Sequence, residues 1–276
     1  MDFKKNIYNI FNSMVYDRSY YEIVSDFFEM SAIAIRNAVD LRPSREMYEE
    51  RYRQMAKNYK PQQIQDFGLA LALFQTEIAK AVQGGAQFQD WAGEIFMESK
   101  TSNAALGQFF TPYAVSQLPP RCVLGSKDIK AKIAADPNYV FTISEPTCGA
   151  GGMIVAIIEE LHKQNINYAW NVFVDCGDID ARCVHMTYLT LSLLGVPAVV
   201  RRGDALLLDY KEEWFTPAYI FAYAHFAKRI GQGGYPKSPV VMKSTSQPPT
   251  AAKAIEPTPT AIEPPKIDKT GQYLLF

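Results

Sequence analysis

Apolar residues recur every three or four positions through the first hundred residues, the spacing of helices that bury one face. Four segments carry it: 6–15 (NIYNIFNSMV), 20–39 (YYEIVSDFFEMSAIAIRNAV), 44–59 (SREMYEERYRQMAKNY) and 62–82 (QQIQDFGLALALFQTEIAKAV). Breaks fall at LRPS, YKPQ and QGGAQ, where proline or glycine ends a helix. Tyr8, Phe11, Tyr16, Tyr20, Tyr21, Phe27 and Phe28 crowd this region, and an aromatic stripe at helical spacing reads as bundle core before it reads as a base-stacking surface. The pattern predicts a helical N-terminal domain over residues 1–98.

From about residue 137 the period changes. YVFTISE (139–145), NVFVDCGD (171–178) and PAVVRRG (197–203) read as strands, with helices GMIVAIIEELHKQ (152–164) and ARCVHMTYLTLSLLG (181–195) between them. Strand and helix in alternation predict a parallel sheet with crossover helices, within a core domain spanning 99–230. Residues 231–276 hold eight of the 17 prolines with repeated Thr, Ser, Lys and Glu, the composition of a disordered tail.

Composition narrows the class. Of 276 residues, 48% are hydrophobic and 21% charged, as in an ordinary soluble domain. A net charge of −1 gives no global footprint for nucleic acid, so DNA binding by the chain alone is expected to be weak. The basic positions near the core are Arg121, Lys127, Lys130, Lys132, Arg201, Arg202, Lys228 and Arg229. Four cysteines without paired spacing and three histidines argue against a metal centre and for reduced thiols in a cytoplasmic protein. The longest apolar stretch, YLTLSLLGVPAVV, is broken by Gly195 and Pro197 and is too short to span a bilayer.

The chemistry gathers around SEPTCGAGG (144–152). A glycine-rich turn from strand to helix aims backbone N–H groups at a ligand and lets it come close. No lysine or GxGxxG spacing marks a phosphate; Glu145 before the glycines suits a ligand with a positive ammonium group. The next strand ends in GDID, where Asp178 can accept from ribose hydroxyls, and the third in RRGDAL, where Asp204 can meet an adenine amino group. An amino acid, a ribose and an adenine in that order describe S-adenosylmethionine.

These residues carry a resemblance. EPTCGAGGMI resembles the first motif of the N6-adenine DNA methyltransferases that serve as modification subunits of type I restriction systems. GQFFTPYAV (107–115) resembles their second cofactor motif, and DWAGEIFMES (90–99) the helix that leads into it. The resemblance implies a shortened Rossmann-like class I S-adenosylmethionine-dependent methyltransferase core. By matching position, Thr111 and Pro112 line the methionine end, with Gln108 to Phe110 shaping the loop. Glu145 and Thr147 flank the amino group, Gly149 and Gly151 give backbone approach, Asp178 holds the ribose, and Asp204 with Ala205 holds the adenine. Thr111-Pro112 and Asp178 with Asp180 also fit a plainer role as helix caps.

The family's Asp/Asn-Pro-Pro-Tyr/Phe catalytic loop is absent from the sequence. Two segments compete for its place: TPAY, with Thr216, Pro217 and Tyr219 as catalytic candidates, and His225-Phe226 at the end of AYIFAYAHF read as a fourth strand. Two functions stay open: a DNA adenine-N6 methyltransferase, or a non-catalytic S-adenosylmethionine-binding partner or decoy in DNA modification or anti-restriction. A specificity subunit is an implied partner. The last residues, QYLLF, resemble the pentapeptide that docks on the β sliding clamp, with Gln272, Leu275 and Phe276 matching it.

Overall fold

A computed structural model describes residues 3–16, 18–100, 110–125 and 129–230. Five helices come first: α1 (Phe3–Asn12), α2 (Tyr20–Val39), α3 (Ser44–Ala56), α4 (Pro61–Val82) and α5 (Trp91–Lys100). Helix α2 starts at a capping box, in which the Glu22 N–H donates to Ser19 Oγ (3.2 Å) and the Ser19 N–H to Glu22 Oε2 (2.9 Å). Pro61 opens α4 from its first position, where no intrahelical N–H is needed. Phe11, Phe27, Phe28, Phe67 and Phe74 fill the bundle, as the stripe predicts, while Tyr8 and Tyr16 stay exposed.

Short helices α6 (Tyr113–Ser116), α7 (Leu118–Gly125) and α8 (Ile129–Ala135) lead to strand β1 (Phe141–Glu145). Then follow α9 (Gly152–Lys163), α10 (Tyr168–Asn171), β2 (Val172–Asp178), α11 (Ala181–Leu193), β3 (Ala198–Asp204) and β4 (Asp209–Phe215). The sheet order is β1-β2-β3-β4, with β1, β2 and β3 parallel and β4 antiparallel to β3. The core is mixed α/β and Rossmann-like, with β1 and β4 at the two edges of the sheet among the described residues.

One element was unmarked by the sequence pattern, and one of the two readings of 216–226 falls. Strand β4 falls on DYKEEWF, where charges mask the alternation of Tyr210, Glu212 and Trp214 with Lys211, Glu213 and Phe215. The segment AYIFAYAHF is not a strand: it forms α12 (Pro217–Phe221) and α13 (Tyr223–Arg229). Pro217 starts the first of these helices, and Tyr219 on the first and Phe226 on the second are buried in one cluster.

One sheet face, with Val172, Val174, Cys176, Ala198, Val200 and Trp214, packs on α9 and α11, and α2 packs outside α11. This core is continuous with the bundle, from Phe3 to Trp214. The other face, with Phe173, Val199 and Phe215, is covered by Tyr219 and Phe226.

Polar groups also join bundle to sheet. Buried Arg36 donates to Ser44 Oγ (2.9 Å), pairs with buried Asp40 (3.1 Å) and lies 3.9 Å over the Tyr48 ring. Arg42 grips Asp40 and donates to the Glu213 carbonyl (2.8 Å); Tyr48 Oη and Trp214 Nε1 both donate to Glu212 Oε2 (3.0 and 3.1 Å). Among the described residues no helix is long and apolar enough to cross a membrane. The expected tail at 231–276, its Gln272, Leu275 and Phe276, and the loop residue Gln108 lie outside the described residues.

Candidate functional site

Successive parallel strands end on carboxylates: β1 on Glu145, β2 on Asp178 and β3 on Asp204. Neighbouring strands stand about 4.8 Å apart, so the three acids form a row along one end of the sheet, each two residues further along its strand than the last.

The glycine turn sits at the Glu145 end of that row. Gly149 (φ 54°) and Gly151 (φ 89°) are both left-handed, a region that a β-carbon penalises. Crowding adds to this: a Cβ on Gly149 would lie 3.2 Å from the Phe110 ring, and one on Gly151 3.0 Å from Thr187 Oγ1. The turn is tied down from beneath. Thr187 Oγ1 donates to the Gly149 carbonyl (2.9 Å) and the Cys148 N–H to the Gly177 carbonyl (2.8 Å).

Asp178 joins the turn to the next strand. Its Oδ2 accepts from the Gly149 N–H (3.0 Å) and its Oδ1 from the Asp180 N–H (2.9 Å). Each oxygen keeps a lone pair for a further donor. Capping of α11 falls to Asp180, which accepts from the Arg182 N–H (2.9 Å). Asp204 Oδ1 accepts from the N–H groups of Leu206 (2.9 Å) and Leu207 (3.1 Å), which closes the hairpin to β4 beside Ala205. That hairpin exposes Leu206, Leu207 and Leu208 at the same end of the sheet, an apolar tip that sequence periodicity did not mark.

A cavity of ≈ 240 Å³ opens beside the turn, lined by Phe110, Thr111, Glu145, Thr147, Gly149 and Gly152 among others. Most of the cofactor candidates of the two motifs thus meet on one wall. Pro112 is the N-cap residue of α6 with no side-chain cap bond, so Thr111 does not cap that helix. Glu145 Oε1 accepts from the Thr147 N–H and Oγ1, each at 3.2 Å. Tyr113 donates to Glu159 (2.8 Å) and anchors α6 to α9. Burial pushes the Cys176 and Cys183 thiols up, so neither is a nucleophile.

Two lining residues escaped sequence reasoning. Asp90, 6% exposed, caps α5 by accepting from the Gly93 N–H at Oδ1 (2.9 Å), while its Oδ2 makes no hydrogen bond among the described residues. Ser116 Oγ is buried and likewise without a partner. An Asp-Trp-Ala-Gly stretch with glycine three residues after the acid is the available signal, since a Cβ on Gly93 would collide with the carboxylate.

Thr216, Pro217 and Tyr219 do not join this site. Thr216 follows β4 and pairs with Ala198, the first residue of β3, so it lies at the opposite end of the sheet. A seven-residue strand puts about 20 Å between the ends. Thr216 Oγ1 donates to the Val196 carbonyl (2.8 Å) and accepts from the Ala198 N–H (2.8 Å). Tyr219 is 1% exposed among Phe173, Phe215 and Phe226. His225 is at that end too, stacked 3.7 Å on Trp170 with its Nε2 2.9 Å from the Trp170 carbonyl. Arg201 pairs with Asp175 and Glu213, and Arg202 with Glu212.

No curated protein matches the sequence. A solved structure described as a class I S-adenosylmethionine-dependent methyltransferase from Listeria monocytogenes aligns with 82% of this chain and 69% of its own, at 10% identity and TM-score 0.38. A type I restriction-modification system methyltransferase subunit from Streptococcus thermophilus aligns with 76% of this chain at 12% identity and TM-score 0.38; the alignment spans 59% of that subunit. The family model for N-6 DNA Methylase matches residues 90–247, from Asp90 through the glycine turn and all four strands. With more than half of its length matched, the chain belongs to the N-6 DNA methylase family.

Proposed function

We propose that this chain binds S-adenosylmethionine along the row of strand-end carboxylates and takes part in N6-adenine methylation of DNA. The observation that carries the reading is the glycine-turn cavity at one end of that row. In this reading the methionine end enters the cavity between Thr111 and Glu145. The ribose hydroxyls donate to the free lone pairs of Asp178, and the adenine amino group donates to Asp204. The unpaired Asp90 Oδ2 and Ser116 Oγ inside the cavity fit a polar, positively charged guest. Bound there, the cofactor supplies an electrophilic methyl group.

A second reading, the non-catalytic partner, is favoured by one observation: Thr216 and Tyr219 are buried at the far end of the sheet. In that reading the chain holds cofactor, or competes for it, beside a specificity subunit or a catalytic protein on DNA. Calorimetric titration with S-adenosylmethionine is expected to give a micromolar Kd, on the order of −8 kcal/mol. Absence of heat and of any thermal shift at millimolar cofactor sinks both readings. Tritiated methyl transfer to DNA then separates them: incorporation by the purified chain supports the enzyme, and binding without incorporation supports the partner.

A further inference from the structure

Beyond the residues matched to the cofactor motifs, the cavity contains two polar side chains with open valences. Asp90 reaches it from the N-cap of α5, and Ser116 from the end of α6. The chain makes room for the Asp90 carboxylate at two glycines. A Cβ on Gly93 would collide with it, and one on Gly152 would stand 2.9 Å from Oδ2. Gly152 is the first residue of α9, so the carboxylate sits over that helix's first turn. One oxygen is held by the Gly93 N–H; the other has no donor. A carboxylate oxygen open to the cavity and a buried hydroxyl without a partner both call for a donor from a ligand or from solvent.

We propose that Asp90, with Ser116 beside it, is a second anionic contact for the α-ammonium group of the cofactor's methionine moiety, in addition to Glu145, and so makes the cavity select ligands that carry this cation. This rests on the cofactor reading above. The ammonium supplies three donors, which match Asp90 Oδ2, Ser116 Oγ and the Glu145 carboxylate at the cavity mouth. Charge-assisted bonds of this kind are the strong ones. Burial raises the Asp90 carboxyl from its ordinary 3.8 to about 6; the Gly93 N–H opposes the shift and Glu94 on the same helix adds to it. Glu145 on β1 and Cys148 in the glycine turn are the other titratable groups lining the cavity, and Tyr113 on α6 lies within reach of the Asp90 charge. Selection for the cation should therefore weaken as pH falls through about 6.

The test is calorimetry on the full chain with three ligands. S-adenosylmethionine carries ammonium and sulfonium, S-adenosylhomocysteine carries the ammonium alone, and 5′-methylthioadenosine carries neither. Asp90→Asn keeps an oxygen for the Gly93 N–H. It is expected to weaken the first two ligands about tenfold or more, the scale of a lost charge-assisted bond, and to leave methylthioadenosine unchanged. Ser116→Ala should show the same selectivity with a smaller loss. In the wild type, affinity for the two ammonium ligands should drop between pH 7 and pH 5, and in Asp90→Asn that step should disappear. Equal weakening of all three ligands would show a merely structural role, and a loss confined to S-adenosylmethionine would place the sulfonium there; either overturns the proposal. If binding to all three is unchanged, the proposal fails while the cofactor reading stands. If the wild type binds none of them, both fail together.

Discussion

The two ends of the four-stranded sheet are built from similar residues and treated oppositely. At the N-terminal end every singled-out polar group is closed off. Thr216 is bonded on both sides, Asn171 donates to the carbonyls of Pro137 (3.0 Å) and Tyr139 (2.9 Å), and His225 lies stacked on Trp170. At the C-terminal end Asp90 and Ser116 keep open valences, Asp178 is half used, and two glycines hold left-handed backbone. Unpaired buried hydroxyls occur in packed core as well, as at Thr190; what sets the C-terminal end apart is that its open polar groups meet a cavity beside left-handed glycines. The residue type alone does not tell the two ends apart: the Thr-Pro-x-Tyr at 216–219 would look catalytic at one end and is packing at the other.

Breaking the closed end should cost stability alone. Tyr219→Ala is expected to destabilise the fold by about 3–5 kcal/mol, as for other large buried aromatics, in urea unfolding. Cofactor affinity of the fraction still folded should be unchanged; a selective loss of binding would return Tyr219 to the site.

At the open end the sign reverses. The Asp90 carboxyl sits at about 6 against an ordinary 3.8, so the stability it contributes is full below about 3.8 and is lost as pH rises through 6. Asp90→Asn should then stabilise the protein at pH 7 by about 2–3 kcal/mol and do little at pH 4. Buried His185 works the other way, lowered from 6.5 to about 4, so its contribution is lost as pH falls through 4. Comparing variant with wild type at each pH cancels that effect. An Asn variant less stable than wild type at pH 7 would make Asp90 a structural cap.

Asp178→Ala removes the acceptor for two backbone N–H groups and for the ribose. Cofactor affinity should fall by about 1.5–3 kcal/mol, or roughly ten- to a hundredfold, in the same calorimetric titration, with a smaller fall in Tm.

The smallest contrast lies between two glycines. Gly149→Ala meets left-handed backbone and the Phe110 ring, and should cost about 1 kcal/mol or more and weaken binding. Gly68, in the interior of α4 with nothing near a new Cβ, should gain about 0.5–1 kcal/mol as alanine, with binding intact. Thermal melts of the two variants decide it.

Much of the molecule was legible before its structure. Segment 20–39 is a helix from its first residue to its last because Ser19 and Glu22 cap it and apolar residues keep a 3.6-residue period. The strand ends at Glu145, Asp178 and Asp204 were readable because turn residues follow each apolar run. Strand β4 was not, since its stability comes from pairing with β3 and from the Glu212 contacts to Tyr48 and Trp214, which are set by distant sequence. The pair α12–α13 looked extended because Tyr, Ile and Phe favour strands; an apolar floor of Phe173 and Val199 made helices the better packing. Asp90 was hidden for a related reason: its role depends on Gly152, some sixty residues away, leaving it space.

The unbroken core from Phe3 to Trp214 sets how the molecule can come apart. A module with its own core can be lost, shuffled or fused elsewhere while its neighbour stays folded. Here α2 lies on α11, and Arg36, Asp40 and Tyr48 close against β4, so a cut between bundle and sheet would strand buried charge and apolar surface on both pieces. The glycine turn, with buried Cys148 and Ala150 in that shared core, is thus backed by packing that a surface loop does not have.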